Sequence, residues 1–154
     1  MGLSSRTAIG RFRCFTCLAF AAFAFAAPQT LRAQLDWNPA KTRVFAVGLL
    51  EWKHSKIYAS FPEARKNRRD EQLVKFFRKA GVPEDNIVYL QDADATKAEA
   101  VAEFNDFLDE SDDGELLVLY FAGHGYRNPE TNRSYFAIYD AGKRDDSGWS
   151  VAGI

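Results

Sequence analysis

The chain has 154 residues, 47% apolar and 27% charged, a composition that fits one folded domain and excludes a disordered, collagenous or polytopic membrane protein. Its formal charge of −1 conceals an asymmetry: Arg6, Arg11, Arg13 and Arg32 fall in the first 33 residues, which hold no acid, leaving 16 basic against 21 acidic residues from residue 34 on. That acidic balance argues against a nucleic-acid partner, whose affinity needs a basic surface.

Residues 1–13 are small, polar and basic, and residues 14–27, CFTCLAFAAFAFAA, are uncharged. The run is shorter than the ~20 residues of a membrane-spanning helix. With small residues at Ala27 and Ala33, this layout predicts a signal peptide over residues 1–33 and a secreted or periplasmic protein, free of the membrane after cleavage. The alternative is an uncleaved amino-terminal membrane anchor. Cys14 and Cys17 lie inside the apolar run and leave with it, so their C-x-x-C spacing is read as neither a zinc site nor a redox motif. The exported segment has no cysteine for a disulfide or a thiol nucleophile.

Residues 34–41, QLDWNPAK, read as a polar lead-in, because Asn38-Pro39 disfavours helix. Val44–Leu50 is a continuous apolar run, the pattern of a strand buried on both faces in a parallel sheet. Glu51–Ala59 has no period and reads as loop; Ser60 with Glu63, and Pro62 between them, suggest a helix start. The spacing predicts a helix over Asp70–Ala80, with Leu73, Phe77 and Ala80 on one face, Val74 and Phe76 flanking it, and Gly81 and Pro83 ending it. Asn86–Gln91 reads as a second strand, Asp92–Ala95 as a loop. A second helix opens at the Thr96–Glu99 capping box with Ala98, Val101, Phe104 and Leu108 as its stripe, and Asp112, Asp113 and Gly114 close it. Leu116–Ala122 is the third and most apolar strand, Tyr135–Tyr139 a fourth, and Trp149–Ile154 the first turn of a helix. Strands alternating with helices predict an α/β domain with a mostly parallel sheet flanked by helices.

In such sheets chemistry sits beyond the carboxyl ends of the strands. His124 lies there, between Gly123 and Gly125, where small neighbours free both the imidazole and a main-chain N–H. Imidazoles as a class suit proton transfer near neutral pH, and the plainer reading is a loop histidine bonded to a carbonyl. His54, in a polar loop without other ligands at metal-site spacing, reads as solvated. Asp92, Asp94, Asp112 and Asp113 lack the ordered oxygen series and glycine turn of a calcium loop and read as solvated carboxylates. The Arg68-Arg69 pair reads as a solvated helix face, with Asp70 favoured by the helix dipole. No G-x-G-x-x-G or phosphate loop is present, which weakens a generic ligand-binding domain.

Glu115–Gly125, ELLVLYFAGHG, resembles the segment ending in the catalytic histidine of caspase-like cysteine peptidases of the caspase and metacaspase type. AVGLL, GVPEDNIVYLQDADAT and YFAIYDA fall in that family's order, and the resemblance covers Thr42–Ile154. It implies a caspase-like three-layer sandwich, His124 as one half of a Cys-His dyad, Gly125 N–H in the oxyanion hole, and a protein or peptide substrate. It implies no cofactor beyond the calcium that some metacaspases require. The family's cysteine follows its histidine by roughly 50 residues, and this chain ends 30 residues past His124. The expectation is therefore the histidine-bearing part of an exported caspase-like endopeptidase, incomplete at the carboxyl end and inactive by itself, its cysteine lying beyond residue 154. The alternative is a non-catalytic caspase-like module that binds another protein.

Overall fold

Strand β1 (Thr42–Gly48) is buried at all seven residues. The computed structural model describes residues 37–153; the expected signal peptide, with Cys14 and Cys17, lies outside them. Strands β2 (Ile87–Gln91) and β3 (Leu116–Ala122) flank β1 in parallel in the order β2-β1-β3, with Val44 opposite both Ile87 and Val118. The apolar run Val44–Leu50 is thus a parallel strand, shifted two residues upstream. Leu49 makes one more backbone bond, to Ala122 O at 2.8 Å, while the Leu50 N–H turns to the Asp92 carboxylate at 2.7 Å, which ends the ladder.

Alternation along β1 divides the core. Val44 and Ala46 pack with Val74, Phe77 and Val82, while Phe45 and Val47 pack with Phe104 and Phe107. Helices α1 (Arg69–Ala80) and α2 (Lys97–Asp109) therefore cover opposite faces of the sheet. Gly81, at φ 97°, closes α1 with its N–H on the Phe77 and Arg78 carbonyls. The face of α1 is turned from the expected one: Asp70, Val74 and Phe77 are buried, and Phe76 is 55% exposed, stacked on Trp37 at 6.0 Å.

Thr96 caps α2 as its sequence predicts, accepting the Glu99 N–H at 3.3 Å. Its buried stripe is Ala100, Phe104 and Phe107, however, and Ala98 and Leu108 face outward. Phe107 wins because its ring meets Phe45 at 5.5 Å and underlies the Arg43 guanidinium at 5.6 Å. The Ser60 helix start is not formed; a 3₁₀ turn spans Ala64–Asn67 without a side-chain cap, because Phe61 N–H bonds Leu50 O and its ring lies against Trp52.

Beyond His124 the chain forms a small antiparallel ribbon of β4 (Gly125–Arg127), β5 (Ser134–Phe136) and β6 (Trp149–Ser150). The strand expected over Tyr135–Tyr139 thus ends at Phe136. Trp149, expected in a helix, is in β6 ahead of a 3₁₀ turn (Val151–Gly153), because its ring fills space between Phe104 (5.2 Å), Phe45 (5.9 Å) and Phe136 (6.1 Å). No helix among the described residues is long and apolar enough to cross a membrane.

The outer edge of β3 has no strand beside it among the described residues. Leu116, Leu117 and Leu119 are exposed there, next to an open groove lined by Phe45, Leu119, Phe121, Phe136 and Trp149. An uncharged apolar edge is a template for pairing. The purified chain should self-associate, and Leu119→Lys should shift it toward monomer in light scattering while changing stability by no more than about 0.5 kcal/mol. An unchanged mass distribution would contradict this.

Candidate functional site

His124 follows β3 directly, at the carboxyl edge of the sheet. Gly123 gives this exit clearance: a Cβ there would crowd the Phe121 ring at 3.0 Å and Leu49 Cβ at 3.3 Å. The imidazole is half-buried in an aromatic frame, with ring centroids 4.6 Å from Trp52, 4.7 Å from Phe61 and 5.9 Å from Tyr58. Its Nε2 lies 2.8 Å from the Ala59 carbonyl oxygen. A carbonyl only accepts, so Nε2 carries the hydrogen and Nδ1 is the basic nitrogen of the neutral ring. Nδ1 has no hydrogen-bond partner among the described residues.

The frame is tied down on several sides. The Trp52 indole N–H donates to Ala137 O at 2.7 Å, the Tyr58 hydroxyl to Gly142 O at 2.9 Å, and Lys53 N–H to Tyr139 O at 2.9 Å. Burial pushes the Tyr58 phenol above its ordinary pKa, so it remains a neutral donor. On the other side of His124, its carbonyl accepts the Ala137 N–H at 2.8 Å. That bond makes Gly125–Phe136 a non-hydrogen-bonded pair of the ribbon, so the Gly125 N–H points away from β5 and the ladder does not use it.

Next to this frame, at the carboxyl ends of β1 and β2, lies an ion-pair cluster. The Arg68 guanidinium donates to Asp70 Oδ2 (2.7 Å), Asp92 Oδ2 (2.6 Å) and Gly48 O (2.8 Å), and the Tyr89 hydroxyl donates to Asp70 Oδ2 (2.8 Å). Arg68 and Asp70 are 12% and 3% exposed at their side chains, which corrects the reading of a solvated arginine pair; only Arg69 is exposed. Burial opposes charge on both, yet hydrogen bonds to Asp70 and Asp92 hold Arg68 protonated above its ordinary range, and those from Arg68 and Tyr89 hold the Asp70 carboxyl below its own. Gly48 is glycine for a steric reason: a Cβ there would fall inside the Asp70 carboxylate.

The other residues singled out in the sequence do not converge. His54 is exposed on the loop between β1 and the 3₁₀ turn. Asp92 and Asp94 follow β2, whereas Asp112 and Asp113 precede β3, at the opposite end of a seven-residue strand, roughly 20 Å away. They cannot share one ion. Asp92 is committed to Arg68 and to two backbone N–H groups, those of Leu50 and Glu51. No group of three His, Cys, Asp or Glu side chains comes together among the described residues.

Comparison with protein-family models and with curated proteins finds no match to this chain. The geometry is therefore the basis for a functional reading.

The native pKa of Asp70 lies below its ordinary value, so its stabilisation is full above about pH 4 and is lost as pH falls through the lowered value. The thermal midpoint should drop on acidification below that point. Asp70→Asn should lower the midpoint at pH 7 and flatten the acid limb; an acid limb as steep as that of the unaltered chain would contradict the assignment.

Proposed function

We propose that the chain is the histidine-bearing part of a caspase-like cysteine endopeptidase in which His124 is the acid–base group. The Nε2–Ala59 carbonyl bond carries this reading. It holds one ring nitrogen as a donor to the backbone and leaves Nδ1 to take a proton from a thiol. The nucleophile is a cysteine on a strand that pairs with the outer edge of β3, which has no strand beside it among the described residues and adjoins an apolar groove. Its S–H proton passes to Nδ1, and the sulfur attacks the peptide carbonyl carbon. The Gly125 N–H meets the resulting oxyanion, and the imidazolium returns the proton to the leaving amine. Water, deprotonated by the same nitrogen, then hydrolyses the thioester and releases the thiol.

Reading the gene beyond codon 154 tests this first: the account expects an apolar strand ending in cysteine, roughly 40 to 50 positions after His124. The protein with that strand should hydrolyse a fluorogenic peptide, and His124→Ala should reduce kcat/KM by about 10³-fold or more. Serine, alanine or glycine at that strand end would favour the protein-binding module. Residues 34–154, which contain no cysteine, should turn over no peptide unaided.

The same proposal places the protein outside the cytoplasm, with residues 1–33 as its signal. Intact mass of the exported protein should begin at residue 34. A mass that includes the first 33 residues would instead indicate the membrane anchor.

A further inference from the structure

The hydrogen bonds of Arg68 and Asp92 go neither to His124 nor to its aromatic frame, yet the loop that builds the frame starts from them. Arg68 bonds Gly48 O, the last residue of β1, and Asp92 Oδ2, just past β2. The other Asp92 oxygen accepts the N–H groups of Leu50 (2.7 Å) and Glu51 (3.3 Å), where the loop leaves the sheet. Glu51 precedes Trp52, which lies on the imidazole, and Phe61 N–H returns to Leu50 O at 2.8 Å, closing the loop whose Ala59 carbonyl meets Nε2. Both ends of the loop that holds the histidine therefore depend on one carboxylate.

The backbone of Asp92 strengthens the inference. It sits at φ 44°, a left-handed conformation that costs a non-glycine residue energy and that glycine or asparagine would adopt more readily. A turn requirement alone does not select aspartate there. Its carboxylate, with two backbone donors on one oxygen and a guanidinium on the other, uses both acceptors, and asparagine could offer only one.

We propose that Arg68 and Asp92 are positioning residues for His124: by fixing where the loop leaves β1 they hold the Ala59 carbonyl on Nε2 and so select which imidazole nitrogen is basic. This rests on reading His124 as an acid–base group, but the arrangement is measurable without a nucleophile.

The chain contains two histidines, and exposed His54 is an internal reference for an unconstrained ring. Nitrogen-15 NMR of the labelled chain at a pH where both rings are neutral reports each tautomer ratio. In the unaltered protein His124 should favour Nε2–H by about tenfold more than His54 does. Asp92→Asn should move the His124 ratio most of the way to that of His54, and Arg68→Lys, which keeps the charge and loses the fork, should move it part of the way. Val74→Ala, in the core on the α1 face, lowers stability without touching the loop and should leave the ratio unchanged. If Asp92→Asn and Arg68→Lys lower the midpoint as Val74→Ala does while the His124 ratio stays native, the pair is structural only and the proposal is overturned.

Hydrogen exchange in the unaltered chain covers the case in which either variant fails to fold. The Leu50 and Glu51 amides and the Trp52 indole N–H should open with one common free energy; Leu50 and Glu51 exchanging freely while the indole stays protected would equally overturn it. A completed protein that shows the tautomer shift but no peptidase activity would refute the functional reading and leave the positioning role standing.

Discussion

Charge taken out of water at the carboxyl edge of the sheet is the constraint on which the candidate site depends. A buried arginine or carboxylate is tolerated only when its polar atoms find partners, and losing one partner of such a pair costs about 3–5 kcal/mol. Arg68, Asp70, Asp92, Tyr89 and the Gly48 carbonyl supply those partners to one another. The cluster joins the ends of β1 and β2 to the first turn of α1, and glycine at position 48 is the consequence of how closely Asp70 approaches that strand.

From that anchor the loop after β1 spreads over the end of β3. Trp52 and Tyr58 reach the segment following β5 with their polar tips, while their rings cover His124. Each aromatic thus excludes water from one side of the imidazole and pins a second segment with its hydrogen bond. The ribbon contributes from the other side, because the bond from Ala137 to the His124 carbonyl sets the register that leaves Gly125 N–H outside the ladder. The His124 imidazole and an unused main-chain donor are thereby adjacent at the carboxyl end of β3.

Continuous apolar runs carried the parallel strands, and the Gly-His-Gly exit from β3 marked the histidine, because burial on two faces and backbone clearance are written in local composition. Ala59 was illegible, since it acts through a carbonyl that every residue possesses. Trp52, Tyr58 and Phe61 sit in a segment without a period; three aromatics in a loop that also carries Lys53, His54 and Lys56 were the available signal. Arg68 looked solvated because its partners at positions 48 and 92 are distant in the sequence. The two residues of β6 are too few to show alternation, and ring packing of Trp149, not propensity, decides their conformation.

The proposed site is a thiol–imidazole pair, so the reactivity of its thiol is the decisive property. In a longer protein carrying the proposed cysteine strand beside β3, the alkylation rate of that cysteine by iodoacetamide should be followed from pH 5 to pH 9, with and without His124→Ala. Alkylation should be fast well below the ordinary thiol pKa of about 8.5, and this should be lost in the variant. Identical pH profiles in the two proteins, or a strand without a cysteine, would contradict it.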